Sequence, residues 1–129
     1  MKTIYLYEDD LALGEATSEL LITDGGFRVS RVVDGVELRE LLADSTPDLL
    51  ILDIQLPGEN GIEIAESISP HIPNVPIMFL SAFASVDNRI AAAHAGGMTF
   101  LAKPFEPEEL LAIAYRLTQL SRAHEGGGR

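Results

Sequence analysis

The sequence contains no cysteine among its 129 residues. Disulfide bonds, thiol nucleophiles and thiolate metal sites are therefore excluded, and the composition suits a reducing compartment such as the cytoplasm. Long apolar runs are missing as well, since no segment approaches the roughly 18 residues that a membrane-spanning helix needs. Residues 1–10, MKTIYLYEDD, reach acidic side chains before the apolar stretch of a signal peptide could form, so we expect no signal peptide and no membrane attachment.

Basic residues are scarce. The chain has 9 lysines and arginines against 20 aspartates and glutamates, which gives a formal net charge of −11. Contacts to a nucleic-acid backbone need a positive surface, so we expect no direct nucleic-acid contact from this domain. A hydrophobic share of 47% nevertheless indicates a folded protein rather than a disordered one, and the length suffices for one domain with its own core.

Apolar strands alternate with amphipathic helices along the whole chain. The predicted strands, each followed by a predicted helix, are 3–7, 27–33, 48–53, 75–81 and 98–102. Such a pattern is typical of a parallel sheet that is covered on both faces and joined by right-handed crossovers. Periodicity is lost after the last helix, so we assign residues 1–121 to the domain and 122–129 to a flexible C-terminal tail or linker.

Chemically active side chains follow four of these strands. They are Glu8, Asp9, Asp10, Asp53, Ser81 and Lys103. Because ligands bind beyond the carboxyl ends of the strands in such sheets, we expect these side chains to form one site. Carboxylates roughly 5 Å apart repel by about 3 kcal/mol per pair at an effective dielectric of about 20, so a cation is expected among them. Oxygen ligands without histidine or cysteine favour Mg²⁺, with Mn²⁺ as the alternative.

The predicted site suits a phosphoryl group. Lys103 adds a second positive charge, so the site can hold a doubly charged phosphoryl group against Asp53. A carboxylate that attacks phosphorus forms an acyl phosphate, a known class of covalent intermediate. This transfer depends mainly on alignment and charge neutralisation, which the metal, the ammonium, the Ser81 hydroxyl and backbone N–H groups would provide.

Four segments resemble the receiver domain of bacterial two-component response regulators. They are YEDD after the first strand, LLILDIQLPGENG around the third, IMFLSA on the fourth and FLAKPF on the fifth, and the resemblance extends over residues 1 to about 121. It implies a flavodoxin-like (CheY-like) α/β fold, in which a doubly wound five-stranded parallel sheet of order 2-1-3-4-5 carries helices on both faces. It also implies that the chain is no enzyme beyond Mg²⁺-dependent self-phosphorylation and autodephosphorylation.

The resemblance assigns roles to the predicted site residues. It implies that Asp53 accepts a phosphoryl group from the phosphohistidine of a sensor histidine kinase or a histidine phosphotransfer protein. Asp9 and Asp53 are then the direct Mg²⁺ ligands, Glu8 acts through water, and Gln55 contributes its backbone carbonyl. The side chain of Gln55 is not required in this set.

A conformational switch is also implied by the resemblance. Ser81 and Lys103 bond phosphoryl oxygens after the transfer, and Phe100 turns inward as Ser81 moves. The surface of the fourth helix, fifth strand and fifth helix then changes, and an output domain, a downstream protein or a homodimer through that surface would read the change. The Lys103–Pro104 peptide bond is expected to be cis. The protein is expected to be cytoplasmic.

The segment LPGENG after the third strand predicts a turn. In it, Gly58 and Gly61 are both expected to tolerate positive φ. Phe83, which flanks the predicted site, is either a shield for the acyl phosphate or a partly buried loop residue.

Three other interpretations stay open. A phosphatase or phosphotransferase of the haloacid dehalogenase class also uses a strand-end aspartate, Mg²⁺ and a lysine, but normally places a second aspartate two residues later, where this chain has Gln55. A flavodoxin-like FMN binder shares the strand order, although the acidic turn after the first strand would repel FMN. A receiver that is never phosphorylated, and acts only as a protein-binding module, would need none of the site residues.

Overall fold

A five-stranded parallel sheet forms the centre of the protein. The computed structural model describes residues 1–83 and 85–127, apart from the side chains of residues 86, 97, 98 and 121–127. The strands are β1 (Thr3–Tyr7), β2 (Arg28–Val32), β3 (Leu49–Asp53), β4 (Ile77–Ser81) and β5 (Gly97–Ala102). Their order across the sheet is β2-β1-β3-β4-β5, which confirms the predicted doubly wound, flavodoxin-like fold.

Helices connect the strands and cover the sheet. They are α1 (Leu11–Thr23), α2 (Gly35–Asp44), α3 (Gly61–Ile68), α4 (Val86–His94) and α5 (Pro107–Gly127), and a 3₁₀ turn at Ser69–His71 follows α3. The backbone of α5 is helical past the predicted domain end at residue 121. The division into a domain of residues 1–121 and a tail of 122–129 stays a prediction, and residues 128 and 129 lie outside the described residues. Within the described part of the chain, no helix combines the length and apolar character that crossing a membrane requires.

Two apolar clusters lie on opposite faces of the sheet, because successive residues of a strand point to opposite sides. One cluster includes residues of α1 and α5, and the other includes residues of α2, α3 and α4. In β3, Leu49 and Ile51 belong to the first cluster, whereas Leu50 and Leu52 belong to the second. Burial on both faces accounts for the continuous apolar run of β3 and carries Asp53 to the edge of the core.

Acidic residues begin two of the helices that follow strands. Asp10 accepts a hydrogen bond of 3.1 Å from the N–H of Leu13, and Asp34 accepts one of 2.7 Å from the N–H of Glu37. Both are N-caps, which satisfy N–H groups that have no partner within the helix. Helix capping therefore accounts for Asp10, the third acidic residue after β1.

A short antiparallel hairpin leads from β3 into α3. Its strands are Gln55–Leu56 and Glu59–Asn60. Of the two glycines expected to tolerate positive φ, Gly58 adopts it, at 69°, and Gly61 does not. Gly61 is required for a different reason, since a Cβ atom there would overlap the backbone carbonyl oxygen of Asp53. The hairpin, a name kept below for residues 55–60, thus ends tightly against the end of β3.

Candidate functional site

The carboxyl edge of the sheet brings together Glu8, Asp53 and Lys103, three of the side chains in the predicted site. Lys103 Nζ lies 2.6 Å from Glu8 Oε1 and 2.6 Å from Asp53 Oδ2. The peptide bond between Lys103 and Pro104 is cis, as predicted. One ammonium therefore contacts carboxylates at the ends of two neighbouring strands, with Glu8 following β1 and Asp53 ending β3.

Three acidic residues form a compact cluster at this edge. One carboxylate oxygen from each of Glu8, Asp9 and Asp53 lies within 4.8 Å of the other two. Glu8 is 1% exposed and Asp53 is 3% exposed, whereas Asp9 is partly exposed. The cluster therefore combines two buried carboxylates with one that reaches solvent.

The surroundings of Glu8 only partly compensate its negative charge. Burial, followed by the neighbouring Asp53, raises the pKa of Glu8 to about 8, although Lys103 acts in the opposite direction. Among the described residues, Glu8 Oε2 is a buried oxygen without a hydrogen-bond partner. A buried, unpartnered carboxylate oxygen beside two further carboxylates suits a divalent cation that prefers oxygen ligands. The residues of the site therefore fit Mg²⁺ or Mn²⁺.

Lys103 keeps its positive charge in this setting. Burial opposes the charge, but hydrogen bonds to Asp53 and Glu8 outweigh burial and raise the pKa of Lys103 above its ordinary value. Its side chain is only 17% exposed, so solvent weakens these contacts little. The ammonium is thus a permanent cation held against the Asp53 carboxylate.

Backbone groups hold Asp53 in place. Asp53 Oδ1 accepts a hydrogen bond of 2.9 Å from the N–H of Gln55, while Oδ2 accepts from Lys103. The carbonyl of Ile54 in turn accepts a hydrogen bond of 2.9 Å from the N–H of Gly61, where α3 begins. Each carboxylate oxygen retains a further lone pair. The neighbours of Asp53 therefore orient its carboxylate and leave part of its capacity to accept hydrogen bonds or bind a cation unused.

Ser81, at the end of β4, is fully buried and its hydroxyl is engaged. Ser81 Oγ donates a hydrogen bond of 2.8 Å to Gln55 Oε1 and accepts one of 2.9 Å from the N–H of Phe83. The Phe83 side chain is exposed. The sequence indicated that metal binding does not require the Gln55 side chain, and it did not predict this contact with Ser81. The one available signal was the position of Gln55 two residues after Asp53.

Phe100, on β5, contacts α4. It is partly buried and packs against the apolar cluster on the side of α2, α3 and α4. The Cζ atom of Arg89, on α4, lies 4.7 Å from the centroid of the Phe100 ring. A cation–π contact of this kind contributes about 0.5–1 kcal/mol at exposed sites. The predicted switch residue therefore touches the helix that is predicted to respond.

Comparison with known proteins identifies the family. A family model for the response regulator receiver domain matches residues 4–115. The chain belongs to this family. The response regulator MprA of Mycobacterium sp. (strain KMS) is 35% identical to the receiver domain over 123 residues, which cover 95% of this chain and 53% of that protein. The receiver domain thus spans about half the length of the curated relatives that it matches.

Solved structures agree with this assignment. A CheY-like response regulator receiver domain protein from Methanospirillum hungatei JF-1 superimposes with a TM-score of 0.86 at 25% identity, covering 95% of this chain and 98% of that one. A structure described as the BeF3-activated DrrB receiver domain superimposes with a TM-score of 0.82 at 27% identity, covering 92% of this chain and 98% of that one. The fold predicted from the sequence is therefore shared with solved receiver domains.

Two polar side chains beside the acidic cluster of the receiver domain were not predicted. Tyr7, the last residue of β1, donates a hydrogen bond to Glu59 of the hairpin. No sequence pattern indicates this contact, because the two residues are far apart in the chain and meet only through the fold of the hairpin.

Proposed function

We propose that the receiver domain is the phosphoryl-accepting switch of a two-component system and that Asp53 is the acceptor. The observation that carries this proposal is the setting of the Asp53 carboxylate. It is 3% exposed, lies 2.6 Å from the Lys103 ammonium, and belongs to a carboxylate cluster suited to a divalent cation. Phosphoryl transfer requires such a setting, because it depends mainly on alignment and on neutralisation of charge.

In the proposed reaction, a carboxylate oxygen of Asp53 attacks the phosphorus of a phosphohistidine on a histidine kinase or a histidine phosphotransfer protein. An O–P bond forms while the P–N bond breaks, and the electron pair of the broken bond stays on the imidazole nitrogen. The product is an acyl phosphate on Asp53. Lys103 Nζ, which already contacts Asp53, is placed to bond a phosphoryl oxygen and to offset the added negative charge.

Glu8, Asp9, Asp53 and the backbone carbonyl of Gln55 are the groups that would hold Mg²⁺ or Mn²⁺, with Glu8 acting through water. When bound, the ion neutralises charge on the phosphoryl oxygens and helps to align the incoming group. The contribution of the chain is to keep three carboxylates within 4.8 Å of one another and to offer the unpartnered Oε2 of Glu8.

Ser81 and Phe100 would transmit the modification to the surface. We propose that the Ser81 hydroxyl leaves Gln55 to bond a phosphoryl oxygen and that Phe100 turns inward. Because Arg89 of α4 lies over the Phe100 ring, this movement would change the surface formed by α4, β5 and α5. Phosphorylation would act by biasing an equilibrium between two conformations, to the extent that they differ in affinity for the phosphoryl group.

A solved relative supports the phosphoryl site. The DrrB receiver domain is described as activated by BeF3, and beryllofluoride resembles a phosphoryl group in charge and shape. By analogy, the same pocket of this chain would accept beryllofluoride beside Asp53.

The partners of the receiver domain belong to the same proposal. Since the chain spans about half the length of related response regulators, we propose that an output domain or a downstream protein reads the switch. A sensor histidine kinase would be the donor, and a homodimer would form through α4, β5 and α5. We propose no enzymatic turnover beyond self-phosphorylation and autodephosphorylation, and the cytoplasmic location stays a prediction.

The experiment is incubation with acetyl phosphate and Mg²⁺, followed by mass spectrometry of the intact protein. We expect a labile mass increase of one phosphoryl group that requires Mg²⁺ and is absent from Asp53→Asn. Asp34→Asn is the matched control, because asparagine also serves as an N-cap and this variant should still be modified. A mass increase that persists in Asp53→Asn would contradict the assignment. An unmodified wild-type protein that still binds a partner would favour a protein-binding module.

A further inference from the structure

A partly buried hydrogen bond joins β1 to the hairpin. Tyr7 Oη donates to Glu59 Oε2 at 2.5 Å, and the N–H of Gly35, at the start of α2, donates to the same oxygen at 3.2 Å. The Tyr7 side chain is 1% exposed. Burial, followed by the hydrogen bond to Glu59, raises the pKa of Tyr7 well above its ordinary range. One carboxylate thus connects three segments of the chain.

The two residues lie next to predicted cation ligands. Tyr7 directly precedes Glu8 and Asp9 in the chain, and Glu59 pairs with Leu56 in the hairpin that Gln55 begins. The contact between Tyr7 and Glu59 therefore ties the hairpin that carries Gln55 to the strand that leads into Glu8 and Asp9.

The Tyr7 side chain is buried and Glu59 is partly buried, so their polar groups need hydrogen-bond partners. Burying a hydroxyl and a carboxylate costs free energy unless both are hydrogen-bonded, whereas apolar side chains of similar size need no such partners. Position 35 is also adapted to the pair, since a Cβ atom at Gly35 would overlap Glu59 Oε1 and come within 2.7 Å of Arg39 Nη1. The glycine leaves the space that the Glu59 carboxylate occupies.

We propose that Tyr7 and Glu59 are positioning residues for the divalent cation, holding the hairpin at the separation from β1 that brings the Gln55 carbonyl into the coordination set with Glu8, Asp9 and Asp53. This inference rests on the proposed function, because it requires that the carboxylate cluster binds a cation. Neither residue touches the cation itself. Both act through the backbone segments that carry the ligands.

Positioning and simple stabilisation have different consequences for different ions. Mg²⁺ demands nearly ideal octahedral geometry, whereas Ca²⁺ accepts variable ligand numbers and distances. A displaced carbonyl should therefore weaken Mg²⁺ binding more than Ca²⁺ binding. General destabilisation would weaken the binding of both ions alike.

The experiment is NMR titration of the full chain with Mg²⁺ and, separately, with Ca²⁺. In Tyr7→Phe we expect Mg²⁺ affinity to fall about 10-fold, the lower end of the range for lost ligand-supporting contacts, and Ca²⁺ affinity to fall less. Tyr5→Phe is the matched control, because Tyr5 is also buried on β1 and its hydroxyl donates to the Ser45 carbonyl, away from the hairpin. This control should keep the wild-type ratio of the two affinities.

Two further variants separate positioning from folding. Glu59→Gln should retain nearly the wild-type selectivity for Mg²⁺ over Ca²⁺, since an amide oxygen can accept both hydrogen bonds. Glu59→Leu should lose this selectivity. Gly35→Ala should displace the Glu59 carboxylate without weakening α2, because alanine favours a helix more than glycine does. We expect this variant to lose Mg²⁺ selectivity at an unchanged or raised melting temperature.

The outcomes are distinguishable. If the wild-type chain binds neither ion, the proposed function itself is wrong. If the wild type binds Mg²⁺, and Tyr7→Phe binds Mg²⁺ and Ca²⁺ as tightly as the wild type does, only the positioning role is overturned. Equal losses of Mg²⁺ and Ca²⁺ affinity, accompanied by a lower melting temperature, would also overturn it and leave a purely structural contact.

Discussion

The hydroxyl of Ser81 donates its hydrogen bond to the side-chain oxygen of Gln55, at 2.8 Å. A hydroxyl has one hydrogen to donate, so Ser81 cannot keep this bond and also donate to a phosphoryl oxygen on Asp53. The proposed switch therefore includes an exchange of partners. The affinity for a phosphoryl group must include the cost of breaking the contact with Gln55.

Gln55→Leu should favour the phosphoryl-bound conformation. A typical hydrogen bond contributes about 1 kcal/mol, which corresponds to roughly a fivefold change in an equilibrium constant. We expect beryllofluoride, titrated in the presence of Mg²⁺, to bind this variant about fivefold more tightly than the wild type. In a Ser81→Ala background the same substitution should have no effect. An equal effect in both backgrounds would show that Gln55 acts by another route.

Lys103→Met should make stability depend strongly on Mg²⁺. Removing the ammonium leaves Glu8 and Asp53 buried without their shared cation, and breaking a buried ion pair typically costs about 3–5 kcal/mol. We expect a lower melting temperature without metal and a larger rise on Mg²⁺ addition than in the wild type, measured by calorimetry. Lys2→Met, at the more exposed contact with Asp48, is the control and should change little. A Mg²⁺ response equal to that of the wild type would contradict the proposed site.

Mg²⁺ binding should release a proton near neutral pH. The pKa of Glu8 in the metal-free chain is about 8, so Glu8 is mostly protonated at pH 7, whereas a bound cation favours its ionised form. Apparent Mg²⁺ affinity should therefore rise by up to about tenfold per pH unit below pH 8 and level off above it. Calorimetry in buffers of different ionisation enthalpy measures the number of protons released on Mg²⁺ binding, and Glu8→Gln should abolish this release.

The free energy of unfolding of the metal-free chain should fall as the pH rises, whereas the Mg²⁺ affinity should rise. Because the folded chain holds the Glu8 proton more tightly than the unfolded chain, this contribution is fully present below pH 4.5 and is lost as the pH rises through about 8. Chemical denaturation without metal should show the loss, and Glu8→Gln should reduce it. A pH-independent difference between the wild type and this variant would contradict the raised pKa.

Gly61→Ala should damage the site more than Gly58→Ala. A Cβ atom at Gly61 would overlap the backbone oxygen of Asp53, so either the acceptor or the start of α3 must move. At Gly58, φ is 69° but no atom lies within 4 Å of the added Cβ, so only the backbone cost of about 1 kcal/mol applies. We expect acetyl phosphate to modify Gly58→Ala at nearly the wild-type level and Gly61→Ala far less. Equal modification would show that the contact can relax.

The order of strands and helices was determined by the sequence. The apolar run of β3 requires burial on both faces, and amphipathic helices between such strands provide it, so a doubly wound parallel sheet was predictable. The neighbourhood of Glu8, Asp53 and Lys103 was also predictable, because parallel strands end at the same edge of the sheet. The family resemblance added the strand order and the cis bond before Pro104, and the structure confirms both.

Only the tertiary structure decided which polar atoms meet at that edge. The contacts of Ser81 with Gln55 and of Tyr7 with Glu59 join residues that are distant in sequence, and each depends on how the hairpin packs against the strand ends. Periodicity determines which face of an element is buried, but hydrogen bonds require donor and acceptor to match within a few tenths of an ångström. That precision comes from the packing of all the elements together, and no local pattern contains it.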